Sequence, residues 1–252
     1  MATSLTYDGP EPVRLNKFMG QSGLCSRREA DALIADGLVS IDGEIVRDAG
    51  RKIEPGQTLT LSDRAAAALA EGMTILMHKP VGYVSGQAEQ GYKPAVTLIA
   101  AASHHAADRS PLRFSPAQLK GLAPAGRLDI DSTGLLVLTQ DGRIAKLLIG
   151  EDSRIEKEYL VRVEGRLDAQ GLKLLNHGLS LDGQALKPAK VSWQNEDQLR
   201  FVLREGKKRQ IRRMCELVGL KVTGLKRIRI GSVKLGDLPL GKWRYLREDE
   251  RF

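Results

Sequence analysis

The chain has 252 residues, 42% of them hydrophobic and 28% charged, which is typical of a folded globular protein and excludes a chain disordered throughout. No run approaches the roughly eighteen apolar residues that a membrane span needs, and the first residues do not resemble a secretion signal. The two cysteines, Cys25 and Cys215, occur without a CxxC motif or a paired His. The sequence therefore indicates neither a disulfide framework nor a zinc ribbon, and it favours a reducing, cytoplasmic location.

The positive charge of the chain is concentrated in its last part. The formal net charge is +8, and residues 200–252 contain 16 Lys or Arg but only 6 Asp or Glu. A one-sided basic surface attracts polyanions, most often nucleic acid, although a solvated basic face is the alternative explanation.

The first sixty residues have the pattern of a small unit of two helices followed by strands. Leu15, Phe18 and Met19 follow helical spacing, and Gly23 fits the end of that helix. The run from Ser26 to Glu29 fits a capping box at the start of a second helix. Alternating segments at 38–41 and 58–61 predict strands.

A larger α+β unit follows. The pattern predicts strands at 134–139, 158–164 and 198–203 and helices at 143–149 and 208–218. The stretch 100–122 has no periodicity, which favours a surface insertion. We predict a disordered segment over 1–12, a small domain over 13–62, a linker over 63–72 and the larger domain over 73–252.

One carboxylate is a candidate for chemistry. Asp129 follows Arg127 by two positions in an extended segment, so the two side chains can pair and keep Asp129 ionised. Such a carboxylate can act as nucleophile or base, and a structural salt bridge is an equally good explanation. Asp131 completes a DxD pattern that can bind metal, but without a third ligand a turn is favoured.

Two other segments carry notable side chains. Tyr159 is most simply a strand aromatic. Residues 205–213 place several cations in the first turn of a predicted helix, where they oppose the helix dipole, so anion binding explains them better than stability does.

The N-terminal sequence resembles an S4 domain, a small RNA-binding module. The likeness lies in RLNKF at 14–18, SGLCSRREA at 22–30 and VSIDG at 39–43. It implies RNA contacts by Arg14, Lys17, Arg27 and Arg28, for which solvated helix charge is the alternative.

The rest of the chain is similar to the RsuA/RluB/RluE/RluF family of ribosomal RNA pseudouridine synthases. The motifs are HKPVG at 78–82, GRLDIDSTGLL at 126–136, TQDG at 139–142, EKEYLV at 156–161 and QIR at 210–212. Stretches at 25–31, 209–216 and 239–244 are most like the RluF group, which acts on large-subunit ribosomal RNA. The resemblance implies a mixed, mainly antiparallel sheet with the catalytic cleft across it.

The same resemblance assigns roles to individual residues. Asp129 is implied to be the catalytic residue, oriented by Arg127 and Arg212, with Tyr159 stacking on the base. Ile211 is implied to pack on the target nucleotide. The remaining substrate contacts by resemblance and charge are Lys79, Lys207, Lys208, Arg209 and Arg213, although Lys79 at the end of a strand fits a simple turn equally well.

The predicted function is isomerisation of one uridine in ribosomal RNA to pseudouridine by a cytoplasmic monomer, without metal, cofactor or membrane. Transfer RNA stays open as a second substrate. The alternatives are a non-catalytic S4 protein that binds RNA during ribosome assembly, and an enzyme that uses Asp129 and Asp131 with Mg²⁺ for phosphoryl transfer.

Overall fold

The computed structural model describes residues 3–70, 72–89, 91–150 and 152–252. The chain divides into two compact units, the first comprising residues up to 74 together with 139–147, the second residues 75–138 and 148–252. Residues 1 and 2 of the predicted disordered segment and residue 71 of the predicted linker lie outside the described residues. Within those ranges, no helix combines the length and apolarity needed to cross a membrane.

The first unit contains short strands and helices in the order expected. Strands β6 and β3 lie at the centre of a four-stranded sheet of order β1-β6-β3-β4, and β2 pairs with β5. The elements are β1 (Ser4–Thr6), β2 (Val13–Arg14), α1 (Leu15–Gln21), α2 (Arg27–Ala35), β3 (Val39–Ile41), β4 (Glu44–Val46), β5 (Lys52–Ile53), β6 (Thr58–Leu61) and α3 (Asp63–Ala70).

Helical periodicity places the apolar side chains of α1 and α2 in one core. Leu15 and Met19 of α1 and Ile34 of α2 are fully buried, and Leu59 of β6 joins the same cluster. Gly23, just after α1, has a φ of +80°, which glycine adopts without the steric cost of a side chain. The predicted helices and strands of this unit are therefore confirmed.

The predicted disorder of residues 1–12 is wrong for β1. This strand pairs antiparallel with β6, and the Ser4 hydroxyl lies 2.9 Å from that of Thr60. Leu5 packs partly buried on the core. A three-residue strand with one apolar side chain has too short an alternation to be recognised in the sequence.

Replacing Ser26 with Ala is expected to destabilise α2 by about 1 kcal/mol. The Ser26 side chain accepts a hydrogen bond from the Glu29 amide, and the Glu29 carboxylate accepts one from the Ser26 amide, so the predicted capping box is present. Hydrogen exchange of the α2 amides in the full chain measures the loss. Ser22→Ala, which removes only a hydroxyl bonded to the Met19 carbonyl, is the control, and equal effects from both variants would contradict this account.

The second unit is built on a large sheet, and three of the following elements, β7, β11 and α4, cross the boundary between the units. The elements are β7 (Thr74–Lys79), β8 (Tyr83–Val84), β9 (Lys93–Pro94), β10 (Ala123–Pro124), β11 (Thr133–Thr139), α4 (Gly142–Ile149), β12 (Lys157–Glu164), α5 (Ala169–Asn176), β13 (Ser180–Leu181), β14 (Gln184–Ala185), β15 (Lys190–Trp193), β16 (Gln198–Leu203), α6 (Gln210–Leu217), β17 (Lys221–Ile230), β18 (Val233–Lys234) and β19 (Trp243–Tyr245).

The sheet has the order β15-β16-β12-β17-β11-β7-β19, with β10 and β18 attached to β11 and β17. Strands β11 and β17 are parallel, whereas β15–β16, β16–β12, β12–β17 and β7–β19 are antiparallel. The sheet is therefore mixed and mainly antiparallel, and the α+β class is confirmed. The predicted strands at 134–139, 158–164 and 198–203 correspond to β11, β12 and β16.

Helix α6 begins later than the pattern predicts. The sequence favours a helix from residue 208, but Arg209 has a φ of +52° in the left-handed region and the helix starts at Gln210. Lys207 and Lys208 consequently precede the helix, so their charges do not occupy its first turn. The apolar face is nevertheless as predicted, with Ile211 and Met214 buried.

The stretch 100–122 packs against edge strand β19. The His104 ring stacks on Trp243 with centroids 4.3 Å apart, and the Tyr245 hydroxyl lies 2.8 Å from the Gln118 side chain. The backbone forms only short 3₁₀ turns there, which explains why no helical or strand periodicity is present.

Candidate active site

A cavity of about 740 Å³ lies in the second unit, over one face of β16, β12 and β17. Nine cationic and three acidic side chains line it, so it suits a strongly anionic substrate. The cationic residues are Arg127, Lys157, Lys187, Arg204, Lys207, Lys208, Arg209, Arg212 and Arg227, and the acidic ones are Glu89, Asp129 and Glu205.

Asp129 lies in this cavity on a segment that is fixed on both sides. Before it, the buried Ser85 hydroxyl accepts from the Leu128 amide at 2.8 Å and donates to the Leu128 carbonyl at 2.9 Å. After it, the Ser132 amide donates to the Asp129 carbonyl at 3.1 Å and closes a turn. The carboxylate itself is one-third exposed, so a rigid backbone presents an accessible acid.

Lys79 supports this turn through its buried side chain, and its predicted contact with substrate is wrong. The side chain is fully buried and is not among the described residues that line the cavity. Its ammonium donates to the carbonyls of Pro80 at 2.8 Å and Ser132 at 3.0 Å. Because Lys79 ends β7, the strand-end alternative describes its position better. Burial lowers the pKa of Lys79 to about 8, although the negative charges of Asp129 and Asp131 act in the opposite direction and raise it.

The stability difference between the wild type and Lys79→Met is expected to depend on pH. Between pH 8 and the ordinary lysine value of 10.5, the unfolded chain holds the proton and the folded chain does not, so the wild type gains stability as pH rises. The gain over Lys79→Met is on the order of 2 kcal/mol. Urea unfolding at pH 7–10 measures it. The same comparison with exposed Lys93→Met is the control, and a flat difference for Lys79→Met would contradict the buried charge.

Arg127 does not pair with Asp129, contrary to the sequence prediction. Its guanidinium is 82% exposed and makes its ion pair with Glu89, at 3.8 Å. Arg127 and Asp129 both lie in the loop between β10 and β11 and line the cavity, but no ion pair joins them within the described residues. The alternation of side chains along a strand does not apply here, because this segment is not a strand.

The predicted pairing of Arg212 with Asp129 is also wrong, because Arg212 lies beside Asp131. The Arg212 Nη2 donates to the Asp131 carbonyl at 3.0 Å and lies 3.3 Å from its carboxylate. Arg209 binds the same carboxylate through two nitrogens at 3.1 Å each. Burial tends to raise the pKa of Asp131, but the two arginines outweigh it and lower the pKa. In the part of the chain that the structure describes, Asp129 is left with one long ion pair, to Arg209 at 3.9 Å.

Tyr159 and Ile211 are brought to the cavity as the motifs predict. Tyr159 is a buried β12 residue, and Ile211 is buried in the first turn of α6. Both side chains line the cavity that holds Asp129. Within the described residues, the Tyr159 hydroxyl makes no hydrogen bond, so it is free to bind a ligand.

The other predicted RNA contacts divide into three groups. Lys207, Lys208 and Arg209 line the cavity. Arg213 does not line it and instead binds Asp182 through two nitrogens at 2.9 and 2.6 Å. The four S4 cations, which are Arg14, Lys17, Arg27 and Arg28, belong to the first unit, where they are exposed and form no ion pair with any described residue.

Four cationic residues of the cavity were missed from the sequence, Lys157, Lys187, Arg204 and Arg227. Lys157 precedes Tyr159 by two positions on β12, so alternation along a strand was the signal that could have found it. Arg227 comes from β17 and lies opposite Tyr159 in the register. No local pattern reveals a pairing between segments so far apart. In the described part of the chain, no cluster of three or more His, Cys, Asp or Glu residues could hold a metal.

Comparison with known proteins agrees with this geometry. Residues 73–217 match the RNA pseudouridylate synthase family, and residues 13–59 match the S4 domain. An uncharacterised RNA pseudouridine synthase of Aquifex aeolicus is 34% identical over 94% of this chain and 92% of its own length. The dual-specificity RNA pseudouridine synthase RluF of Escherichia coli K12 is 35% identical over 94% of this chain and 77% of its own length.

Two further likenesses extend the comparison. A putative chloroplastic ribosomal large subunit pseudouridine synthase of Arabidopsis thaliana, SVR1, is 30% identical over 95% of this chain and 60% of its own length. A crystal structure of a pseudouridylate synthase superposes with a TM-score of 0.64 at 27% identity, covering 94% of this chain and 96% of the other.

The S4 unit and the cation-lined cavity around Asp129 define an RNA-modifying protein with two parts. The chain belongs to the RNA pseudouridylate synthase family. It is therefore an isomerase, and its S4 domain is an RNA-binding module.

Proposed function

We propose that the chain converts one uridine of large-subunit ribosomal RNA to pseudouridine, with Asp129 as the catalytic residue. The observation that carries the assignment is that Asp129, Tyr159 and Ile211 line one cation-rich cavity. A protein that only binds RNA has no need of an accessible carboxylate there, because a carboxylate repels phosphate. The name of the SVR1 relative, a large-subunit enzyme, and the RluF-like stretches support the choice of RNA.

The reaction breaks the bond between N1 and C1′ of uridine and forms one between C5 and C1′. The proton leaves C5 for solvent and N1 gains a proton, so no outside group is consumed. The target base must leave its stack to enter the cavity, at a cost of a few kcal/mol that phosphate contacts offset. Asp129 initiates cleavage, either by attack on C1′ or by removal of the C2′ proton.

The side chains around Asp129 have separate roles in this proposal. Tyr159 stacks on the base, and its free hydroxyl assists removal of the C5 proton after rotation. Arg209, 3.9 Å from the carboxylate, orients it, and Ile211 packs on the nucleotide. Lys207 and Lys208 bind the RNA backbone at the cavity, and Arg14, Lys17, Arg27 and Arg28 bind it at the S4 domain.

Location and assembly belong to the same proposal. Cys25 and Cys215 are buried free thiols, and burial raises the pKa of each to about 12, which suits a reducing cytoplasm. The chain acts as a monomer, which sedimentation tests directly.

The substrate is tested with RNA carrying tritium at uridine C5. The wild type is expected to release tritium from large-subunit ribosomal RNA, and small-subunit and transfer RNA are compared in parallel, since the RluF relatives are described as dual-specific. Release from small-subunit RNA alone would contradict the proposed substrate. Binding without release from any RNA, free or in assembled subunits, would favour the assembly-factor alternative.

A further inference from the structure

We infer that Lys157 and Arg227 form an anion site that takes the phosphate of the target nucleotide. The inference rests on the proposed function and adds a binding role for two residues that the motifs do not assign. Both residues line the cavity that contains Asp129, and Arg227 lies opposite Tyr159 in the register of β12 and β17.

A bulge in β17 aims Arg227 at the cavity. Glu158 pairs with Arg229 and the next residue, Tyr159, pairs with Arg227, so Ile228 is skipped. In a regular strand, Arg227 and Arg229 would lie on the same face of the sheet. The extra residue of the bulge places them on opposite faces. Arg229 binds Glu158 on the far face, at 2.6 Å, and Arg227 faces the cavity with Tyr159.

One hydrogen-bond donor of the buried Arg227 side chain has no partner among the described residues. The side chain is only 2% exposed, its Nε donates to the Leu135 carbonyl at 2.7 Å, and its Nη1 donates to the Arg127 carbonyl at 3.2 Å. Its buried Nη2 has no partner. Neutral carbonyls leave the charge uncompensated, and a buried unpaired donor costs roughly 1–3 kcal/mol.

Lys157 adds a second uncompensated charge beside it. Its side chain is half-buried and forms no ion pair with any residue in the described ranges. Burial lowers its pKa, and the nearby charge of Arg227 lowers it further. The two nearest acids along the chain are bound elsewhere: Glu156, just before β12, pairs with Arg204 at 3.1 Å, and Glu158 of β12 pairs with Arg229 at 2.6 Å.

The chemistry of the two groups selects the ligand. A uracil carbonyl would satisfy one donor but would leave two positive charges unneutralised in a partly desolvated place. The only anionic group of a uridine nucleotide is its phosphate, and Arg and Lys bind phosphate through strong charge-assisted hydrogen bonds. The site thus holds the nucleotide by its phosphate while the base lies near Tyr159.

Uridine 5′-monophosphate and uridine are the probes, and their dissociation constants are measured by NMR titration of the full chain. The wild type is expected to bind the monophosphate at least about tenfold more tightly than uridine. Lys157→Met is expected to lose this preference and keep its affinity for uridine, which also shows that the variant folds. Lys173→Met removes an exposed lysine of α5 by the same substitution and should retain the preference.

Two results would overturn the anion site. One is a wild type that binds both probes equally, and the other is Lys157→Met with the preference intact. Tritium release from ribosomal RNA by the wild type separates this failure from failure of the proposed function. If the wild type releases tritium but binds both probes equally, only the anion site is contradicted. If it releases no tritium from any RNA, the proposed function is contradicted, whatever the titration shows.

Discussion

Asp129→Asn is expected to abolish pseudouridine formation while the chain still folds and binds RNA. The substitution removes the charge and the basicity of the carboxylate and keeps its shape. The rate should fall at least about 10³-fold, as it does when a nucleophile or general base is lost from other enzymes. Single-turnover formation of pseudouridine measures the effect.

The structure explains why folding should survive this change. Among the described residues, the Asp129 side chain has only one ion pair, at 3.9 Å, and the turn around it is held through backbone atoms by Ser85, Lys79 and Arg212. Asp131→Asn is the informative comparison, because Asp131 binds two arginines but is not assigned to catalysis. If Asp131→Asn lost turnover completely and Asp129→Asn did not, the assignment of the catalytic residue would be wrong.

Gly134→Ala is expected to destabilise the second unit by more than about 3 kcal/mol. Gly134 has a φ of +113°, and an added Cβ would overlap the carbonyl oxygen and the nitrogen of Arg227 on the neighbouring strand. The parallel pairing of β11 with β17 brings these two residues together. Backbone atoms in the middle of a sheet cannot move aside as a flexible side chain can.

Gly183→Ala is the matched control for the backbone conformation. Gly183 has a φ of +74° in the turn between β13 and β14, and a Cβ there would meet nothing within 4 Å. Only the cost of a left-handed conformation, about 1 kcal/mol, is expected. Thermal and urea unfolding of both variants measures the contrast. Equal losses would show that close approach to Arg227 does not require the glycine.

The sequence reveals most of the fold because its elements carry local signals. The capping box at Ser26 and the spacing of apolar residues in α1 and α6 depend on neighbours a few positions away, and the structure confirms them. The start of α6 could not be predicted, because the left-handed conformation of Arg209 accompanies its bonds to Asp131, which is distant in sequence.

The motifs locate the candidate site, but its internal contacts depend on tertiary geometry. Asp129, Tyr159 and Ile211 come together as their motifs predict. The motifs do not predict which acids the arginines bind, because a guanidinium can reach several acids and only tertiary packing determines which one it binds. Lys79 illustrates the same limit, since one lysine in a motif fits equally a substrate contact and a buried support for the turn.

The decisive measurement for the catalytic role of Asp129 is pseudouridine formation by the wild type and by Asp129→Asn, compared side by side on tritium-labelled large-subunit ribosomal RNA. Nucleosides from the digested RNA are separated and the released tritium is counted. The wild type is expected to form one pseudouridine for each tritium released from C5, whereas Asp129→Asn is expected to form none while binding the RNA with unchanged affinity. Comparable pseudouridine formation by both proteins would contradict the role of Asp129.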